Sequence, residues 1–192
     1  RKLPISSFKP TAVPSGAAGV VRANLFALGL NASAVVGMEP ALQPGNYPVN
    51  ALELFVDGEP MIRARSPNLA PDGTWMWAGY ENVTAVSNMS VTLADAALGA
   101  LWAKAAAAGE LYLHGYFKWD YRDDYVKVDS VVPLAAGTSF NITRDYNTVA
   151  QYPFTKGCRF YALNSLELLD QAGEYYLDHK SGDLYVLPGR PF

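Results

Sequence analysis

The chain has 192 residues, half of them hydrophobic and 17% charged, with 15 basic against 18 acidic side chains for a net charge of −3. That length and apolar content suit one folded domain, or one domain with an appendage, and exclude a disordered polymer. No basic cluster is present and no apolar run is long enough to span a bilayer, which argues against a nucleic acid partner and against direct membrane insertion.

Residues 1–19, rich in Pro, Ser, Gly and Ala, read as an extended lead-in, and residues 20–192 as a single β-rich domain. Val20-Val-Arg-Ala23 predicts a short strand, after which Asn24 caps one helical turn that Gly29 closes. Residues 37–50, with three Pro and two Gly, predict a loop. Ala51 to Val56, Asp57-Gly58 and Glu59 to Arg65 predict a hairpin, because Asp-Gly supplies the positive φ angles of a primed two-residue turn. In it Leu52, Leu54 and Val56 share a face that Met61 answers.

Residues 69–80 read as a loop carrying Trp75, Trp77 and Tyr80, and Asn82 to Val91 as a broken strand with Val83, Ala85, Met89 and Val91 alternating. Thr92 and Asp95 predict a capping pair for a helix over about 94–107, with Leu98, Leu101 and Trp102 as its apolar stripe over one end of a sheet. Glu110 to Phe117 alternates Leu111, Leu113 and Phe117 against Tyr112, His114 and Tyr116. It is expected to pair with Tyr125 to Val132 across a connection from Lys118 to Asp124. Further strands are expected at Thr138 to Ile142 and Arg159 to Ala162, then a turn over 163–169 and a hairpin over 174–187 around His179-Lys-Ser-Gly182. The fold class is therefore mainly β, an antiparallel sandwich or barrel-like domain with one short helix and a few helical turns. No internal repeat of about 20–50 residues is present.

Candidate chemistry is sparse. Asp120, Asp123 and Asp124 crowd one connection beside Trp119, Tyr121 and Arg122. Clustered acids next to aromatics can bind sugar hydroxyls, hold calcium or serve as a glycosidase pair, whereas the structural alternative is turn capping and pairing with Arg. The stripe Tyr112, His114 and Tyr116 is open to three readings: a sugar-stacking platform, a docking surface, or a second buried face. Trp75 and Trp77 pose the same choice between an exposed binding surface and a filled core. His114 and His179 are the only histidines, too few and too far apart to predict a zinc site or a catalytic triad. No phosphate-cradling loop opens a helix, and no cofactor or metal is predicted. Cys158 is the lone cysteine, so no internal disulfide framework exists, and its neighbours predict a buried thiol.

Four N-x-[ST] sequons, at Asn31, Asn82, Asn88 and Asn141, exceed the roughly one expected by chance and favour a secretory route. Each is a candidate N-glycosylation site, and each can equally be a polar turn.

Three blocks carry a resemblance. The first takes in Val20 to Leu30 and Leu52 to Asn68, the latter ending Arg63-Ala-Arg-Ser-Pro-Asn68. The second is Leu111 to Val128, which contains His114-Gly-Tyr-Phe-Lys-Trp-Asp-Tyr-Arg-Asp-Asp-Tyr125. The third is Arg159 to Pro188. Together they cover about half of the chain and resemble, in order, a segment of secreted right-handed parallel β-helix proteins of the pectate-lyase-like and glycoside-hydrolase-like kind. Ser66 stands where such proteins often carry tryptophan. The resemblance implies an accessory or inserted β-domain, a fragment of a longer chain, that packs against a β-helix bearing the catalytic acids. The partners it implies are the remainder of that parent chain and possible glycans. On this reading the function is non-catalytic support of glycan binding or processing or of extracellular assembly. One alternative is part of a glycoside hydrolase or polysaccharide lyase active site; another is a structural module of a wall, matrix or surface filament.

Overall fold

The computed structural model describes residues 2–35, 53–69, 81–82, 85–87, 89–134, 139–144 and 154–189, with backbone alone at 81, 82, 139 and 144. In chain order the first strands are β1 (Lys9–Pro10), β2 (Val21–Asn24), β3 (Phe55–Val56), β4 (Glu59–Pro60), β5 (Ile62–Arg63), β6 (Arg65–Ser66), β7 (Glu81–Asn82), β8 (Ala85–Val86) and β9 (Ser90–Leu93). Helix α1 (Ala96–Ala108) precedes β10 (Tyr112–Trp119), β11 (Arg122–Leu134), β12 (Ser139–Arg144), β13 (Arg159–Leu163), β14 (Glu174–Asp178) and β15 (Asp183–Leu187). The class is the expected mainly β, antiparallel one. Its sheets are open, and none closes into a barrel among the described residues. The chain divides into two compact units: Arg1–Glu39 with Asn50–Ala64 and Leu166–Phe192, and Pro40–Val49 with Arg65–Ser165.

The first unit is a five-stranded sheet in the order β1-β2-β15-β14-β5, plus the β3-β4 ribbon. The lead-in contributes a 3-10 turn at Ile5–Ser7 and the edge strand β1, paired antiparallel with β2. As expected, Asn24 caps a single turn: its Oδ1 accepts from the Ala27 amide at 2.9 Å, and Gly29 closes the turn at φ 79°. In the ribbon, Asp57 and Gly58 both take positive φ (52° and 87°), as a primed turn requires. Leu54, Val56 and Met61 pack together against a core of Leu25, Val35, Tyr175, Leu177, Leu184 and Val186. Leu52 lies outside the described residues, as does the loop expected over 37–50.

The strand expected over 59–65 is three shorter ones. After Met61 donates to the Leu54 carbonyl, the amides of Ile62 and Ala64 turn to the carbonyls of Gly173 and Tyr175, so β5 adds parallel to β14. The closing hairpin β14–β15 is as expected. At its turn the Asp178 carboxylate accepts from the Lys180 amide (2.9 Å) and the Ser181 hydroxyl (2.8 Å). Burial pushes this carboxyl up, but the Ser181 and backbone bonds outweigh it and hold the group below the usual aspartate range. Glu174 is fully buried, with Oε2 accepting from the Asp170 and Gln171 amides at 3.2 Å each.

The second unit is an eight-stranded sheet ordered β6-β13-β10-β11-β12-β9-β8, with β7 also on β13. The broken strand expected over 82–91 includes a hairpin, for β8 folds back on β9 and Ala85 lies opposite Thr92. Thr92 is inside β9, so it does not cap the helix. Asp95 alone does, accepting from the Leu98 amide at 2.8 Å, and α1 starts two residues later than expected, at Ala96. The helix lies over β11 and β12. Its fully buried residues are Gly99, Trp102 and Ala105, while Leu98 and Leu101 are half-buried. Gly99 sits there because the Phe140 ring fills the space a Cβ would need. Trp102 packs on Phe160 (5.9 Å between ring centroids) and donates from Nε1 to the Ser66 hydroxyl at 3.1 Å.

Cys158 is buried behind a turn in which its amide donates to the Thr155 carbonyl, and burial pushes its thiol up to about 11. The native protein at pH 8 should therefore resist alkylation by iodoacetamide, whereas the urea-unfolded chain should be alkylated within minutes. Equal labelling of both states, read by intact mass, would contradict the buried placement.

Candidate functional site

Strand period places two different surfaces on the sheet formed by β6, β13, β10 and β11. Leu113 and Phe117 of β10 face the helix side with Val126, Val128, Phe160 and Ala162, all buried. The opposite face carries polar and aromatic groups in register: Tyr112, His114 and Tyr116 of β10, Asp123, Tyr125 and Lys127 of β11, Arg159 and Tyr161 of β13, and Arg65 of β6. Three strands supply its centre. His114 Nε2 lies 2.8 Å from Asp123 Oδ2, and His114 Nδ1 lies 2.7 Å from the Tyr161 hydroxyl. A carboxylate only accepts, so Nε2 carries the proton toward Asp123, and in the neutral ring Nδ1 accepts from the Tyr161 hydroxyl.

The imidazole stacks on Tyr125 at 4.1 Å, and Tyr161 meets it edge-on at 5.1 Å. Arg65 places its guanidinium carbon 3.4 Å from the Tyr161 ring centre, and its Nε donates to the Pro67 carbonyl at 3.0 Å. The Ser66–Pro67 peptide is cis. Arg65, His114 and Tyr161 are all buried. Toward the hairpin end, Arg159 lies over Tyr116 (5.1 Å) and pairs with Asp120 (2.9 Å).

Of the residues singled out beforehand, Tyr112 and His114 are buried and Tyr116 is half-buried, which is the second-buried-face reading of the stripe. Asp120, Asp123 and Asp124 do not crowd one connection. The strands continue to Trp119 and from Arg122, leaving a turn of only Asp120 and Tyr121. Asp123 and Asp124 therefore lie in β11 on opposite faces: Asp123 meets His114, while Asp124 lies opposite Gly115 and accepts from the Tyr125 amide at 2.9 Å. Trp119 and Tyr121 sit on the exposed tip.

Trp75, Trp77 and Asn88 lie outside the described residues, as does the side chain of Asn82. Asn31 and Ser33 are exposed at a single 3-10 turn. Asn141 is half-buried in β12, its Nδ2 donating to the Thr143 hydroxyl of the same sequon at 3.2 Å. Among the described residues, no three His, Cys, Asp or Glu side chains gather as metal ligands would.

Sequence reasoning missed Tyr161, Arg65 and Arg159. Their signal was present in the alternation Arg159-Phe-Tyr-Ala-Leu163, which puts Arg159 and Tyr161 on one face of a strand whose other face is apolar. An open groove of about 1050 Å³ in the first unit, lined by Phe8, Val20, Val21, Leu187 and Pro188 among others, involves none of the residues singled out.

No family profile matches the chain, and no curated protein matches it. Among solved structures it is similar to one described as a glycoside hydrolase, at 19% sequence identity and a TM-score of 0.54. The alignment covers 94% of this chain and 27% of that one. The likeness is one of fold.

Proposed function

We propose that the chain is a non-catalytic accessory β-domain of an extracellular parallel β-helix protein that binds or processes glycans. One observation carries the non-catalytic part. Among the described candidates, His114 and Asp123 are engaged within the sheet itself, both His114 nitrogens being bonded and one of them to Asp123, while one Asp120 oxygen at the hairpin turn is paired with Arg159. A glycosidase needs two carboxylates about 5–10 Å apart across a substrate-sized gap. Here Asp123 and Asp124 project to opposite faces of one strand. The fold likeness to part of a glycoside hydrolase supports the carbohydrate setting, and the exposed sequon at Asn31 supports an extracellular route.

The reading is tested in a glycan-cleaving parent carrying Asp120→Asn or Asp123→Asn. Turnover should stay within about tenfold of wild type, because losing a general acid or base costs about 10²–10⁴-fold. A hundredfold fall at unchanged melting temperature would place the site in the reaction and overturn the accessory assignment.

A further inference from the structure

We infer that the tip of the β10–β11 hairpin is a stacking site for a neutral pyranose, an inference that rests on the carbohydrate setting proposed above and gives it a location. The aromatic side chains of the sheet's polar face are buried or half-buried, whereas Trp119 is 43% and Tyr121 81% exposed. Their rings are nearly parallel, 15° apart with centroids 6.2 Å from each other. Between them in sequence, Asp120 holds one carboxylate oxygen 2.9 Å from Arg159 Nη2. The side chain of Asp120 is 77% exposed, and its second oxygen has no partner among the described residues. The arrangement is amphipathic on the scale of a single sugar: flat apolar rings beside a fixed acceptor.

A pyranose presents the matching pair of surfaces, a face of C–H bonds and an edge of hydroxyls. The C–H face suits the electron-rich side of the aromatic rings, and a hydroxyl can donate to Asp120. Size discriminates against a protein partner. Two aromatic side chains bury at most about 150–250 Å² each, whereas a specific protein interface needs about 800 Å² per side. The residues bordering these rings, Lys118, Asp120 and Arg122, are charged and do not extend the apolar area.

Charge discriminates within carbohydrates. Lys118, Arg122 and Arg159 are balanced by Asp120, Asp123 and Asp124, so nothing at the tip selects a polyanionic chain over a neutral one. Lys118 Nζ already lies 5.0 Å from the Trp119 ring centre, which engages that cation locally.

The test is affinity gel electrophoresis of the chain against soluble β-glucan, xylan, galactan and polygalacturonate, with Trp119→Ala, Tyr121→Ala and Tyr121→Phe variants. Both aromatics are exposed, so the variants should melt with wild type. The expected result is retardation by at least one neutral polysaccharide, weakened about tenfold in each alanine variant and kept by Tyr121→Phe, since stacking uses the ring and not the hydroxyl. Undiminished retardation of the alanine variants would overturn the tip site while leaving the carbohydrate reading standing. Retardation by polygalacturonate alone would overturn the neutral class. Wild type running free in all four would overturn both the site and the carbohydrate setting it rests on.

Discussion

Gly115→Ala should lower the stability of this protein by about 3 kcal/mol, the top of the usual range for forcing atoms into a filled interior. A Cβ built at Gly115 would stand 2.2 Å from the Arg159 carbonyl oxygen, 2.6 Å from Phe160 Cα and 2.7 Å from Phe160 Cβ. Two of those three atoms are backbone, and they belong to β13, whose register with β10 runs from Tyr112 opposite Leu163 to Tyr116 opposite Arg159. No side-chain rotation relieves the contact, so the ladder itself must open. Gly115 is also where the β10–β11 register becomes irregular, the setting in which a strand tolerates glycine. For a chain of this size a loss of about 3 kcal/mol corresponds to a melting point about 6–12 °C lower. Gly109→Ala is the control, because a Cβ there meets nothing within 4 Å. Thermal melts that place both variants within a degree or two of wild type would show that β10 and β13 do not approach as described.

Much of the β architecture was legible because single-strand signals are local. Asp57-Gly58 announced its turn, the alternation around Leu113 and Phe117 announced β10, and Asn24 and Gly29 bracketed their helical turn. What could not be read locally was the destination of each strand's hydrogen bonds. The segment after Glu59 looks like one strand of a hairpin, yet the amides of Ile62 and Ala64 serve β14, more than a hundred residues away in sequence. The helix shows the same limit. Thr92 and Asp95 have the spacing of a capping pair, but Thr92 is held opposite Asn141 in the sheet, so tertiary pairing overrides the local motif.

The candidate site divides along the same line. His114 and Asp123 could be singled out by residue type, and Trp119 and Tyr121 by their place beside a turn. The short connection could not: lengthening both strands moves Asp123 and Asp124 out of the turn and onto opposite faces, which dissolves an apparent acid cluster. Tyr161 and Arg65 join the site only through the strand order β6-β13-β10-β11, which brings together residues 65, 161, 114 and 123.

That cross-strand row makes the second large prediction a test of coupling. Removing the imidazole by His114→Ala takes away the 2.7 Å bond to Tyr161, the 2.8 Å bond to Asp123 and the stack on Tyr125 together. Each hydrogen bond contributes about 1 kcal/mol, and stranding a buried polar group adds about 1–3 kcal/mol, so the expected loss is about 3–5 kcal/mol. Tyr161→Phe removes only the hydroxyl and should cost about 1–2 kcal/mol. If the two act as one bonded pair, the double variant should cost less than the sum of the singles by about 1–2 kcal/mol, since the hydroxyl has no imidazole left to serve. Urea denaturation of the four proteins gives the cycle directly, provided the slopes agree. Additivity within about 0.3 kcal/mol would mean that the two groups do not share a bond, and the row across β13, β10 and β11 would then be a set of neighbours and not a network.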